Sequence, residues 1–159
     1  MAFLAWLSSS PVGEWVSGST WAYPGLLFIH TLGLGILVGL NSALGLRLLG
    51  FAPNVPVADL EPLFPYMWAG FWVNAVSGSI LFIADAPKKA ANPSFIIKLV
   101  LIALAVWVMR ALRRRAFPDV GTSNGFVTRP VKLLAAASLA LWGGAITAGR
   151  LMAYTAALK

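Results

Sequence analysis

His30, Asp85, Lys98 and Arg150 belong to four different apolar stretches, each within or at the edge of its own. All four fall towards the same end of the bundle. His30 is seven residues into the first stretch, or about 10 Å at 1.5 Å per residue. Lys98 is five past Pro93, Arg150 about six before the end of the fourth, and Asp85 closes the second. An ionisable side chain inside a bilayer costs about 2.5–3.5 kcal/mol on insertion scales, so each of the four requires a partner or a route to water. Two chemistries fit the set. In the first it is a structural polar cluster, with Asp85 paired to Lys98 or Arg150, Lys98 snorkelling and His30 hydrogen-bonding across helices. In the second it is a small anionic or cofactor site. A haem b would take His30 as axial ligand, with Lys98 and Arg150 near the propionates and Met152, or His30 of a second copy, as the other ligand.

Other chemistry is poorly supplied. One histidine with one nearby carboxylate is too few for a protein-only zinc or di-iron site. The absence of cysteine removes disulfides, iron–sulfur clusters and thioether-linked haem. Ser77 and Ser79 lack a histidine at a spacing that would make a hydrolase triad, and the chain has neither a P-loop nor a glycine-rich nucleotide fingerprint. Asn41, eleven residues after His30, could line a narrow polar path with Asn74 and Ser77 or, as is commoner in membranes, bind helices together.

The elements that must position these residues are four stretches long and apolar enough to cross a bilayer, at 23–49, 63–84, 95–111 and 133–156. Composition agrees, with 59% hydrophobic residues, 11% charged residues and a mean hydropathy of +0.81. Residues 2–20 are too short an apolar run to span and lack a basic leader. Phe3, Trp6 and Trp15 suit short helical pieces lying in the interface, broken near Pro11 and Gly13. Gly50, Pro53 and Pro56 end the first span and extend the loop after it. Asp85, Pro87, Asn92 and Pro93 make the next turn, with Pro93 opening the third helix. Pro118, Gly121, Asn124, Gly125 and Pro130 fall in the longest loop, which is expected to be mobile at its centre.

Net charge is +7, but the basic residues gather at span ends, above all Arg110, Arg113, Arg114 and Arg115, which points to membrane topology rather than nucleic acid. Positive-inside bias puts the arginine-rich loop in the cytoplasm and both termini outside. Gly35, Gly39 and Ala43 recur every four residues on the first span, which also carries Gly33, and the fourth offers Gly143, Gly144, Ala148 and Gly149, so both can approach another helix closely. That helix belongs either to the same chain or to a second copy.

Several blocks in a fixed order carry a family resemblance over nearly the whole chain. They are Trp21, Ala22, Tyr23 and Pro24 leading to Ile29 and His30; Leu46 to Gly50; Leu81 to Ala86; Asn92 to Lys98; and Trp142 with Gly149 to Tyr154. In these the chain resembles small bacterial four-helix membrane proteins of uncharacterised function, similar in turn to copper-resistance D proteins. The resemblance implies a membrane fold and brings no reaction with it. The chain departs from the pattern at Gly45, where the family often has an acidic residue, and at Arg110 to Arg115, where a histidine is frequent. A site built on either group is absent or altered here. One histidine and four scattered methionines make no copper-transfer cluster.

The expectation is therefore an all-α integral membrane four-helix bundle, one domain over 1–159 with an interfacial N-terminal segment, multi-pass in a bacterial inner membrane. Its partners are the lipid bilayer and either further copies of itself or a larger membrane complex. The expected function is a non-enzymatic membrane subunit or scaffold. The alternatives are a haem b redox protein built around His30 and a small-solute carrier or channel, which would need a continuous polar path.

Overall fold

The computed structural model describes residues 2–117 and 127–157. Among these the chain is all-α: α1 (Ala2–Ser8), α2 (Pro11–Gly18), α3 (Ala22–Leu49), α4 (Leu63–Ile83), α5 (Ala86–Ala90), α6 (Pro93–Ala116) and α7 (Arg129–Ala157). Four of them, α3, α4, α6 and α7, are long and apolar enough to cross a membrane. The shortest, α4, has 21 residues, or about 32 Å at 1.5 Å per residue, which matches a hydrocarbon core of roughly 30 Å.

Local chemistry explains most helix ends. Ser10 caps α2, its hydroxyl accepting the Gly13 N–H at 3.3 Å, with Pro11 in the first turn. The break in the N-terminal segment is thus at Ser9–Ser10. Gly13 lies inside α2, where a Cβ would run into the Ser8 carbonyl. Gly50 ends α3 in the left-handed conformation (φ 112°), and the Phe51 N–H returns to the Leu46 carbonyl at 3.0 Å, a Schellman-type closure. Arg47 then reaches forward to the Pro53 carbonyl at 3.1 Å and ties down the loop that follows. Asn92 caps α6 through Ser94 N–H at 3.0 Å, with Pro93 as its first residue. The loop expected between α6 and α7 has its centre, 118–126, outside the described residues. Pro130 falls within the first turn of α7 rather than in the loop.

Helix packing is unequal around the bundle. α3 lies against α4 and α7, and α7 lies against α6. The α3–α4 crossing is close because both helices place glycine at it: a Cβ on Gly70 would sit 2.9 Å from the Gly33 carbonyl oxygen and 3.0 Å from the Leu37 nitrogen. Gly45 accepts Leu139 of α7, and Gly144 of α7 accepts Leu101 of α6. By contrast, α4 and α6 meet through aromatic rings at their two ends. Phe82 stacks on Phe95 with centroids 5.1 Å apart, and Phe64 meets Phe117 edge-on at 5.6 Å. Between the helices a core of Leu37, Leu44, Phe64, Met67, Met109 and Trp142 is buried.

Gly33, Gly45, Gly70 and Gly144 thus serve packing between the long helices. Gly35, Gly39 and Gly143 face open space, and Ala43 is exposed. Of the two partners the spacing allows, a helix of the same chain is not the one these four residues meet among the described residues.

Candidate functional site

The polar residues at the terminal end of the bundle are placed by five helices. His30 comes from α3, Asn74 and Ser77 from α4, Lys88 and Lys89 from α5, Lys98 from α6 and Arg150 from α7. The His30 ring packs against Gly78, where a Cβ would be only 2.8 Å from its Cε1, so α4 must present glycine to admit it. His30 Nδ1 is 3.1 Å from Ser77 Oγ. Ser77 has a single hydroxyl proton, and the Val73 carbonyl stands 2.6 Å from its oxygen, the usual back-bond partner of a helical serine. With the serine proton on that carbonyl the ring would donate from Nδ1, and with it turned to the ring Nδ1 would accept; the 3.1 Å contact admits both tautomers.

In either direction the contact joins α3 to α4.

Lys98 lays its side chain over Gly149, with Nζ 3.7 Å from where a Cβ would stand. It is within electrostatic reach of both His30 and Lys89. Lys89 donates to the Leu81 carbonyl at the end of α4, and its ammonium stands 5.9 Å from the Tyr23 ring centroid. Burial holds the Lys89 amine below the ordinary lysine value of 10.5; the Asp85 carboxylate works the other way and Lys98 adds to the lowering.

Asp85, the residue just before α5, has Lys88 as its ion-pair partner at 3.9 Å, across one turn of that helix. The expected pairing with Lys98 or Arg150 is replaced by this local one because 86–90 is a helical turn, which brings i and i+3 together. Arg150 is exposed on α7 and Met152 is half-buried there. Thus His30, Lys89 and Lys98 form one electrostatic neighbourhood, and Asp85 adjoins it through Lys89. The local balance is cationic.

A second polar group lies deeper. Ser138 of α7 donates to Asn41 Oδ1 at 2.9 Å, both fully buried. Asn41 therefore joins α3 to α7, while Asn74 and Ser77 lie at the α3–α4 seam with His30, and the polar residues divide between two helix pairs. Three buried atoms, Asn41 Nδ2, Asn74 Oδ1 and Trp142 Nε1, have no hydrogen-bond partner among the described residues.

No family model, curated protein or solved structure matches this chain. Its own residues must carry any assignment. Among the described residues no three His, Asp or Glu side chains gather as metal ligands. Sequence reasoning found His30, Lys98 and Asp85 but passed over Lys89 as a loop charge. The signal available for it was Lys88 and Lys89 following Asp85 and Pro87, the start of a short helix with a carboxylate before it and cations in its last turn.

Proposed function

We propose that this multi-pass membrane protein is a non-enzymatic subunit that assembles with a second copy of itself through small-residue faces on α3 and α7. The observation that carries the proposal is the outward direction of Gly35, Gly39 and Ala43 on α3, away from every helix of their own chain. On the adjacent α7, Ala136, Ala140, Gly143 and Thr147 are exposed at spacings of four, three and four, again one helical face. The lipid-facing sides of α4 and α6 differ: they carry Trp72, Val73, Val76, Ile97, Val100 and Trp107. Glycine in a helix costs about 1 kcal/mol against alanine, and small faces in a bilayer offset that by letting helix backbones approach. The same reading orients the chain with Arg110 to Arg115 at the cytoplasmic side of a bacterial inner membrane and both termini outside.

The chain has no native cysteine, so single-cysteine cross-linking in membranes is a clean test. Ala43→Cys is expected to form a disulfide-linked dimer on mild oxidation, and Val76→Cys, on the lipid face of α4, is not. Gly39→Leu should remove the dimer while the monomer keeps its helicity. Equal cross-linking at positions 43 and 76 would count against the seam, as would a dimer that survives Gly39→Leu.

A second reading, a haem b site, is favoured by one observation. His30 Nδ1 is held by Ser77 at 3.1 Å, and a hydrogen bond on one ring nitrogen commonly fixes an imidazole that ligates through the other. Protein purified from its own membranes would show a Soret band that His30→Ala abolishes; a featureless spectrum at good yield excludes this reading.

A further inference from the structure

At the arginine-rich end, beside the Phe64–Phe117 contact, residues of α4 and α6 line a half-open cavity of about 460 Å³. Its polar wall is Arg110, Arg113 and Arg114, which at i, i+3 and i+4 share one face of α6. Its apolar wall includes Trp68 and Phe64 of α4, one turn apart, together with Phe117. The rings hold the cations in place: the Arg110 guanidinium is 4.9 Å from the Trp68 ring centroid, and that of Arg113 is 5.5 Å from Phe64. One carboxylate faces them, Glu61, at 3.9 Å from Arg113 Nη2. Three guanidinium groups against one carboxylate leave the cavity with an excess of two positive charges.

Depth adds to this. Arg110 is 17 residues beyond Pro93, the first residue of α6, or about 26 Å along the helix, and Arg113 and Arg114 stand about 30–32 Å along it. Measured against a hydrocarbon core of roughly 30 Å, Arg113 and Arg114 reach the edge where headgroups begin, and Arg110 lies about one turn inside it. Planar guanidinium forks suit phosphate oxygens, and the aromatic wall suits hydrocarbon. Trp68 stands level with Arg110 on the core side and Phe64 level with Arg113, so the cavity sets cations beside apolar surface, which fits a ligand with an anionic head and an apolar body.

We propose that this α4–α6 cavity binds one anionic phospholipid, its phosphate between Arg110, Arg113 and Arg114 and its acyl chain along Trp68. The site is separate from the small-residue faces of α3 and α7 and stands whether or not the chain dimerises.

The test is native mass spectrometry of the full chain in mild detergent, titrated with phosphatidylglycerol, phosphatidylcholine or inorganic phosphate. The expected result is one phosphatidylglycerol bound in preference to phosphatidylcholine. Arg113→Gln should weaken it roughly fivefold, the equivalent of about 1 kcal/mol for one arginine near a membrane surface. Glu61→Gln should strengthen it, since it removes the one opposing charge. Arg115→Gln removes the same charge from the same helix outside the cavity, and should leave binding unchanged. Each variant is compared at matched helicity and melting temperature, and Arg115→Gln with Glu61→Gln keeps the test decisive if Arg113→Gln fails to fold. Equal binding of the two lipids overturns the proposal, as does an Arg115→Gln loss as large as that of Arg113→Gln. Displacement of the lipid by millimolar inorganic phosphate would reassign the cavity to a free anion.

Discussion

Lys89 shows how one side chain can be read from three neighbours. Its amine is held below 10.5 first by burial, then raised by Asp85 and lowered again by Lys98. Removing each neighbour should move its titration in a definite direction. By NMR of 13Cε-labelled lysine, the Lys89 midpoint should lie below 10.5, fall further in Asp85→Asn and rise in Lys98→Met. A shift of the same sign in both variants would show that the three do not share one electrostatic field. The sign for stability follows from proton linkage. Between the folded value and 10.5 the unfolded chain binds more protons at Lys89 than the folded chain does. Raising the pH through that window therefore adds to stability, and the penalty of burying the charged form is fully present below it.

At the scale of elements, the α3–α4 crossing depends on what is missing from Gly33 and Gly70. An alanine at position 70 would press its methyl group against the Gly33 carbonyl and the Leu37 nitrogen, both backbone atoms that cannot swing aside. Gly70→Ala should destabilise the protein by about 1–3 kcal/mol, the usual range for overpacking. Gly25→Ala on the same α3, where a Cβ meets nothing within 4 Å, should be neutral or stabilising by up to about 1 kcal/mol. Unfolding in mixed micelles with increasing SDS measures both; equal midpoints for the two variants would show that the crossing has slack.

The existence of the four long helices was legible in the sequence because hydropathy and length alone announce a span. Their ends were less so. α6 continues to Ala116, past the apolar limit at 111, because arginine is a good helix former and three arginines in the last turn complement the helix dipole. Which glycines make contact was not legible. A membrane helix is apolar on all sides, so the amphipathic phase that points a soluble helix at its core is absent. The 33/70 pair and the 35/39 pair look alike until the helices are placed. Likewise the arginines announced an orientation from their number, whereas their role as a cavity wall depends on Trp68 and Phe64 facing them from α4.

For the molecule as a whole, the distribution of tryptophan makes insertion depth measurable. Trp72 stands nine residues into α4, about 14 Å along its roughly 32 Å length, and is 62% exposed. Trp107, 66% exposed, lies past the midpoint of α6 towards the arginine-rich end. Trp21, just before α3, is 82% exposed, and Trp142 in the core is 1% exposed. If the four helices cross a bilayer together, variants retaining one tryptophan each, with phenylalanine at the others, should separate by depth. Lipids brominated near the middle of the acyl chain should quench Trp72 and Trp107 most strongly. Lipids brominated close to the headgroup should instead quench Trp21, where an aromatic belt is expected. Trp142, shielded by α3 and α6, should respond weakly to either lipid. Strong quenching of Trp142 would mean that lipid enters between the helices and that the closed packing of α3, α6 and α7 is not held in a membrane. Equal quenching of Trp21 and Trp72 by mid-chain bromine would be inconsistent with helices standing across the bilayer, and would point to helices lying along its surface.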